Sequence, residues 1–185
     1  MANSLQTWTT HADPFTQVVE TITEWDAPSP CEGWSARDVL AHVIDTGREF
    51  LAGQGHPLPE TDGDNPVARW AAYDASVRAL LADPAVGGKT YEGHFGVTTI
   101  GETLSQFYGF DLLVHRWDLA RSQGERAILT DAELQEIDSA VTGWGEHAYA
   151  PGIFAHPVEV PADADRQAEV LARTGRTDRV TTAAR

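Results

Sequence analysis

Apolar residues along most of the chain recur three or four positions apart, which is the spacing of an amphipathic helix. Helices are predicted at about residues 9–24, 35–53, 65–82, 99–122 and 130–148, with a shorter one around 165–173. A β-like pattern is confined to residues 87–98, where Tyr91, Phe95 and Val97 stand among glycines, and it predicts a short hairpin.

Capping residues mark where several of these helices begin. A serine or threonine is followed three positions later by an acidic residue at 35, 99 and 130. Asn65 and Pro66 form a cap and first-turn pair. So many helices with so little strand predict an all-α fold, a four-helix bundle with short extra helices and a small hairpin. We expect residues 1–150 to form the bundle. Residues 151–185 would add a loop, a short helix and a tail that packs on the same domain or trails from it.

Composition and charge exclude several classes of protein. The 185 residues suit one domain, and 28 acidic against 13 basic residues give a net charge of −15, which repels nucleic acid and anionic membranes. No apolar run has the roughly 20 residues of a membrane span, and the first residues lack the features of a secretory signal. The single cysteine, Cys31, excludes an intrachain disulfide. We expect a soluble, cytoplasmic protein.

The segment FYGFDLLVHRWDLA, residues 107–120, carries the candidate chemistry. At helical spacing Asp111, His115 and Asp118 fall on one arc of a helix that is otherwise apolar all round, which is typical of a buried helix. Buried charges need compensation. Asp111 and His115 could simply hydrogen-bond each other, or they could be two ligands of one metal ion. His42 is a candidate third ligand from another helix, and its alternative is a solvated surface histidine.

The remaining titratable residues receive blander interpretations. Cys31 could be a nucleophile, but it has no histidine near it in the sequence and is interpreted as a small packed thiol. His94 is interpreted as a surface-loop histidine rather than part of the site. Four further histidines are expected to face solvent: His11, His56, His147 and His156.

Two segments, PSPCEGWSARDVLAHVI and FYGFDLLVHRWDLARSQG, resemble the metal-binding domain of mycothiol-dependent maleylpyruvate isomerase, within the DinB/YfiT-like superfamily. The stretch from residue 150 to 176 resembles the tails of single-domain relatives. The resemblance implies a four-helix bundle that holds one divalent metal through His42, Asp111 and His115. The isomerase has glutamate where this chain has Asp111. It also has a further C-terminal domain that this sequence ends too soon to contain, so we do not expect maleylpyruvate isomerisation itself.

Three protein ligands leave coordination positions open, as catalytic metal sites do. Zinc is the leading candidate for the ion, with nickel and iron(II) as alternatives. Asp118, one turn beyond His115, could accept the free ring N–H of that histidine. Its alternatives are an arginine partner or a role as fourth ligand.

The leading functional hypothesis is a metal-dependent enzyme that uses a low-molecular-weight thiol such as mycothiol. It would transfer the sulfur to an electrophilic small molecule or isomerise that molecule, and no residue is assigned as a general acid or base. The alternatives are a non-catalytic metal-binding or ligand-sensing module and a metal-dependent hydrolase. The expected partners are therefore a small-molecule thiol and an electrophile, with neither nucleic acid nor membrane, and a homodimer stays open.

Overall fold

Helices make up most of the structure, a computed structural model that describes residues 4–59, 63–93, 96–150 and 152–177. In chain order its elements are α1 (Ser4–Val19), α2 (Ala36–Gly53), α3 (Pro66–Ala82), α4 (Pro84–Gly87), β1 (Thr90–Gly93), β2 (Gly96–Thr99), α5 (Ile100–Glu102), a π-helical turn (Thr103–Tyr108), α6 (Gly109–Ser122), α7 (Asp131–Trp144), a 3₁₀ turn (Gly145–Tyr149) and α8 (Arg166–Ala172). The strands pair antiparallel as a hairpin. The prediction of an all-α, DinB-like fold with a small hairpin is confirmed.

Four helices form the bundle. Helix α1 packs against α3 and α6, and α2 packs against the same two helices. The core between them is rich in tryptophan: Trp8 and Trp70 are almost fully buried. Their indole N–H groups donate hydrogen bonds to Asp74 at 2.7 Å and to Thr16 at 2.8 Å, respectively. These polar partners let large aromatic side chains be buried without leaving a donor unpaired.

A second apolar layer explains why α6 is apolar all round. On one side Leu112 and Leu119 face the bundle core. On the opposite side Phe110 and Trp117 pack against α7 and α8, in a cluster that includes Ile137 and Leu171. Because α6 is covered on both sides, its polar residues are brought into the interior of the protein.

The predicted capping residues set the helix boundaries. Ser35 and Thr130 each accept a hydrogen bond from the backbone N–H three residues on, and the acidic residue at that position bonds back to the cap. Asn65 caps α3, whose bounds coincide with the predicted 65–82 segment. Asp165 likewise caps α8. None of the helices that the structure describes is long and apolar enough to cross a membrane.

Helix α1 begins and ends earlier than predicted. It covers Ser4–Val19 instead of residues 9–24, because the chain turns after Val19 and the Thr21 hydroxyl donates to the Val18 carbonyl at 2.7 Å. His11 therefore lies in the middle of the helix, on the face of Trp8 and Phe15. It is buried, with its Nε2 atom 3.1 Å from Glu136, and the prediction that it faces solvent is wrong.

The predicted helix over residues 99–122 is interrupted by the π-helical turn. The Gly109 N–H donates to the Leu104 carbonyl, five residues back, so this turn holds more residues than the about 3.6 of an α-helix. The wider turn changes the rotation of the residues before α6 relative to those within it. Phe107, which a regular helix would place on the buried arc, is 47% exposed.

Candidate metal centre in an open cleft

A cleft with a cavity volume of about 1300 Å³ opens between α2, the π-helical turn, α6 and the segment that follows α7. Aromatic side chains form much of its wall. Phe50 lies 5.3 Å from Tyr108 between ring centroids, and Trp144 stacks on Phe154 at 6.1 Å. The cleft is therefore largely apolar, with a polar cluster on one wall.

His42, Asp111 and His115 form that polar cluster. The Nε2 atom of His42 lies 3.4 Å from Oδ2 of Asp111, and Nε2 of His115 lies 3.4 Å from Oδ1 of the same carboxylate. One candidate ligand atom from each residue lies within 4.8 Å of the other two. The structure thus brings all three predicted ligands to one place, with His42 supplied by α2 and the other two by α6.

Burial differs across this cluster. The side chains of His42 and Asp111 are 27% and 29% exposed, whereas His115 is buried. The turn before α2 contributes Trp34, whose ring centroid lies 4.9 Å from that of His42 and 6.3 Å from that of His115. Trp34 therefore covers the two imidazoles on one side, while Asp111 stays accessible from the cleft.

Asp118 lies behind His115, away from the cluster. Its carboxylate is fully buried, and Oδ2 lies 2.8 Å from Nδ1 of His115, within hydrogen-bonding distance. Arg176 donates to the same carboxylate from Nε, at 2.9 and 3.1 Å, and from Nη2 at 2.7 Å. The Cys31 thiol donates to Oδ2 at 3.3 Å. Asp118 therefore contacts both a histidine and an arginine, the first two of the partners that its sequence position left open.

The charged groups of the cluster and its neighbours shift the pKa values of His115, Asp118 and Asp111. Burial alone would lower the pKa of His115, but the Asp111 carboxylate and the hydrogen bond to Asp118 raise it to about 10. Burial would raise the pKa of Asp118, yet the Arg176 charge and the His115 hydrogen bond hold it well below its usual range. The pKa of Asp111 is also lowered, because the two histidines outweigh its desolvation. Without a metal, the two neighbouring carboxylates therefore favour the protonated form of His115.

Two contacts of Asp118, with Cys31 and with Arg176, are not predicted from the sequence. The sequence favours a packed thiol over a nucleophile for Cys31, and it does not predict that the Sγ atom lies 3.3 Å from Asp118 Oδ2 and 3.8 Å from Arg176 Nη2. Arg176 received no role, and no local pattern connects it with Asp118, 58 positions away. The Cys-Glu-Gly-Trp turn before α2 is the one signal that pointed toward Cys31 and Trp34.

The other histidines that the structure describes lie outside this cluster. His147 and His156 are exposed and His56 is half-buried, while His11 is buried against α7. His94 lies outside the described residues.

The fold and the cluster define a helical bundle with a histidine–histidine–carboxylate group on the wall of an open cleft. The chain belongs to the family described as the mycothiol maleylpyruvate isomerase N-terminal domain, whose sequence model matches residues 8–120. That match includes His42, Asp111, His115 and Asp118, and it excludes Arg176.

Two relatives from Mycobacterium tuberculosis have similar sequences over most of their length. They are the uncharacterized protein Rv0738 of strain H37Rv and the uncharacterized protein MT0763 of strain CDC 1551. Each is 29% identical over 156 residues, which cover 80% of this chain and 85% of the relative. No solved structure matches the chain significantly.

Proposed function

We propose that this protein is a metal-dependent enzyme that uses a low-molecular-weight thiol, of the mycothiol type, to modify an electrophilic small molecule. The reaction would be transfer of the sulfur to the electrophile or isomerisation of the electrophile through a reversible thiol adduct. One observation carries the proposal: two imidazoles and a carboxylate converge on the wall of an open cleft, in a chain of the mycothiol maleylpyruvate isomerase N-terminal domain family.

The spacing of the donor atoms fits a small divalent ion. Ligand atoms about 2.0–2.1 Å from a tetrahedral zinc ion are about 3.3 Å apart. Nε2 of His42 lies 3.4 Å from Oδ2 of Asp111, Nε2 of His115 lies 3.4 Å from Oδ1, and one ligand atom of each residue lies within 4.8 Å of the other two, which is close to this spacing. Imidazole and carboxylate ligands suit zinc, and nickel and iron(II), which accept the same ligands, are the alternatives. We assign His42, Asp111 and His115 as the ligands, which leaves at least one position open toward the cleft.

A second group of possible ligands fits a metal less well. It consists of Cys31, Asp118 and the Nδ1 atom of His115. Its ligand atoms also lie within 4.8 Å of one another. However, both oxygens of Asp118 already accept hydrogen bonds from Arg176, and both Asp118 and His115 are buried. A metal there would have to displace the arginine and leave that cation buried without its partner, which is costly.

The bound ion would supply a positive charge that lowers the pKa of a coordinating thiol and fixes the resulting thiolate. The chain's own residues do the rest. Trp34 covers the two imidazoles on one side, so the thiol would enter from the cleft, where His42 and Asp111 are partly exposed. The aromatic wall formed by Phe50, Tyr108 and Trp144 offers an apolar surface for the carbon skeleton of the electrophile. Sulfur and electrophile would thus meet in a largely apolar space.

Addition of the thiolate to a conjugated double bond balances without an oxidant or reductant. The sulfur–carbon bond forms while the carbon–carbon double bond becomes single, and the carbon that receives the electron pair takes up a proton. Retention of that adduct is transfer. Rotation about the single bond, followed by loss of the proton and the thiolate, is isomerisation.

The proposal is tested by turnover of a panel of conjugated electrophiles by the zinc-loaded protein, with mycothiol, with other thiols, and with water alone. We expect turnover that needs both metal and thiol, that is nearly abolished in His42→Ala, and that mostly survives in Cys31→Ser, since Cys31 is not a proposed ligand. Full turnover with water alone would support a hydrolase instead. No turnover in a protein with a fully occupied site would support a binding or sensing module.

A further inference from the structure

The buried carboxylate of Asp118 depends on one arginine. Apart from its bond with His115, its charged partner among the described residues is Arg176, which reaches both oxygens through three contacts of 2.7 to 3.1 Å. Both side chains are almost completely buried. A carboxylate in such a place is stable only when a cation and hydrogen bonds compensate it. Two-point contact by a guanidinium also fixes the direction in which the carboxylate faces.

The backbone conformation at the end of α8 directs the Arg176 side chain toward Asp118. The Arg176 N–H donates to the Leu171 carbonyl at 3.2 Å and closes the end of α8. Gly175, just before it, has a φ of +78°, and a Cβ atom there would come within 2.5 Å of the Ala155 Cβ. Only glycine fits this position without strain. The Arg176 guanidinium also lies 5.7 Å from the centre of the Phe154 ring and donates to the Thr174 carbonyl at 3.2 Å.

His115 is the residue on which this contact acts. An imidazole that donates its Nδ1 proton to a fixed carboxylate has its ring plane and tautomer set, and its Nε2 atom is left to bind a metal. In this structure Nδ1 faces Asp118 at 2.8 Å and Nε2 faces Asp111 at 3.4 Å. Arg176 is thus hydrogen-bonded to Asp118 and Asp118 to His115, whose Nε2 atom lies at the proposed metal position.

We infer that Arg176 is a positioning residue, which holds Asp118 against His115 Nδ1 and thereby orients His115 Nε2 toward His42 and Asp111. The inference rests on the proposed function, because it assigns a role in the same site. It also goes beyond the family match, because that match ends at residue 120 and Arg176 lies outside it.

The first test measures zinc affinity by competition with a chelator in Arg176→Gln, Arg176→Lys and the wild type. We expect Arg176→Gln to weaken zinc binding about 10- to 100-fold, as loss of a residue that orients a ligand does. Arg176→Lys should recover part of this loss, since it restores the charge without the two-point contact. If Arg176→Gln does not fold, an affinity of Arg176→Lys equal to that of the wild type overturns the inference.

Arg173→Ala is the matched control. Arg173 lies three residues earlier, and its guanidinium bonds Asp138 and Thr142 on α7 instead of Asp118. This variant loosens the contact between α8 and α7 without touching the site, and its zinc affinity should be unchanged. An equal loss of affinity in Arg173→Ala and Arg176→Gln would mean that docking of the segment is what matters, and would overturn the positioning role.

A second readout needs no metal. In the metal-free wild type the His115 Nδ1 proton should give a protected, downfield nitrogen-bound proton resonance, which Arg176→Gln should lose and Arg173→Ala should keep. If the wild type binds no zinc, the proposed function fails, but this comparison still decides the role of Arg176. A resonance that Arg176→Gln retains unchanged overturns the inference.

Discussion

The Nε2 atom of His42 on α2 lies 3.4 Å from Oδ2 of Asp111 on α6. The two helices pack directly against each other in the bundle, and this contact joins them at the wall of the cleft. Any ion that binds between the two side chains would therefore connect two separate helices and favour the folded state over the unfolded one.

Metal binding should accordingly raise the thermal stability of the protein. A ligand that binds only the folded state adds about 2.7 kcal/mol at a free concentration 100 times its Kd. For a chain of this size that corresponds to a rise of about 5–10 °C in Tm. Melting curves recorded with excess zinc and with a chelator test this. Asp111→Asn should show a much smaller difference, and an equal difference would remove Asp111 from the site.

The metal-free protein should lose stability as the pH rises from neutral to alkaline. The pKa of His115 is raised from 6.5 to about 10 in the folded state, so its protonated form is stabilised by folding. This contribution is fully present below about pH 6.5 and is lost as the pH rises through about 10. Urea unfolding of the wild type and of His115→Gln between these limits measures it.

The difference in the free energy of unfolding between these two proteins should shrink steadily over that range. Other groups that titrate near pH 10 affect both proteins alike and cancel in the comparison. A difference that stays constant with pH would show that His115 carries no extra proton in the folded state.

Gly47 lets α2 pack closely against Tyr73 of α3, so a larger residue at this position should destabilise the protein. A Cβ atom at this position would lie 1.9 Å from the Tyr73 hydroxyl oxygen, and Tyr73 is buried. Overpacking of this kind costs about 1–3 kcal/mol. We expect Gly47→Ala to lower the free energy of unfolding by that amount. Gly53→Ala, at the open end of the same helix, has no atom within 4 Å of the new Cβ and should not be destabilising.

Local patterns predicted most of the fold, because capping and helical spacing act over a few residues. Asn65 with Pro66 gave the start of α3, and the serine–aspartate pair at residues 35 and 38 gave that of α2. The π-helical turn at Thr103–Tyr108 has no such signal, since it depends on how the chain packs against α1 and α2. Helix α1 begins at Ser4, earlier than predicted, and the burial of His11 was not predicted for the same reason.

In the candidate site, too, positions within one helix could be predicted from the sequence, whereas contacts between distant segments could not. The spacing of Asp111, His115 and Asp118 lies within one helix, so the sequence alone places them on one face. The sequence pattern leaves His42 open between a third ligand and a solvated surface histidine, and the family resemblance implies a ligand. The structure brings it to the same carboxylate. Cys31 and Arg176 reach Asp118 from 87 and 58 positions away, and contacts of that kind follow only from the tertiary fold.

The metal content of His115→Ala tests the central claim most directly. Elemental analysis after purification and zinc loading should give about one divalent ion per chain for the wild type and for His147→Ala, an exposed histidine outside the cluster. The same analysis should give almost none for His115→Ala, because loss of its imidazole leaves His42 and Asp111 as the remaining ligands of the cluster. A wild type without metal, or a His115→Ala protein with one ion per chain, would contradict the assignment of His42, Asp111 and His115 as a metal site.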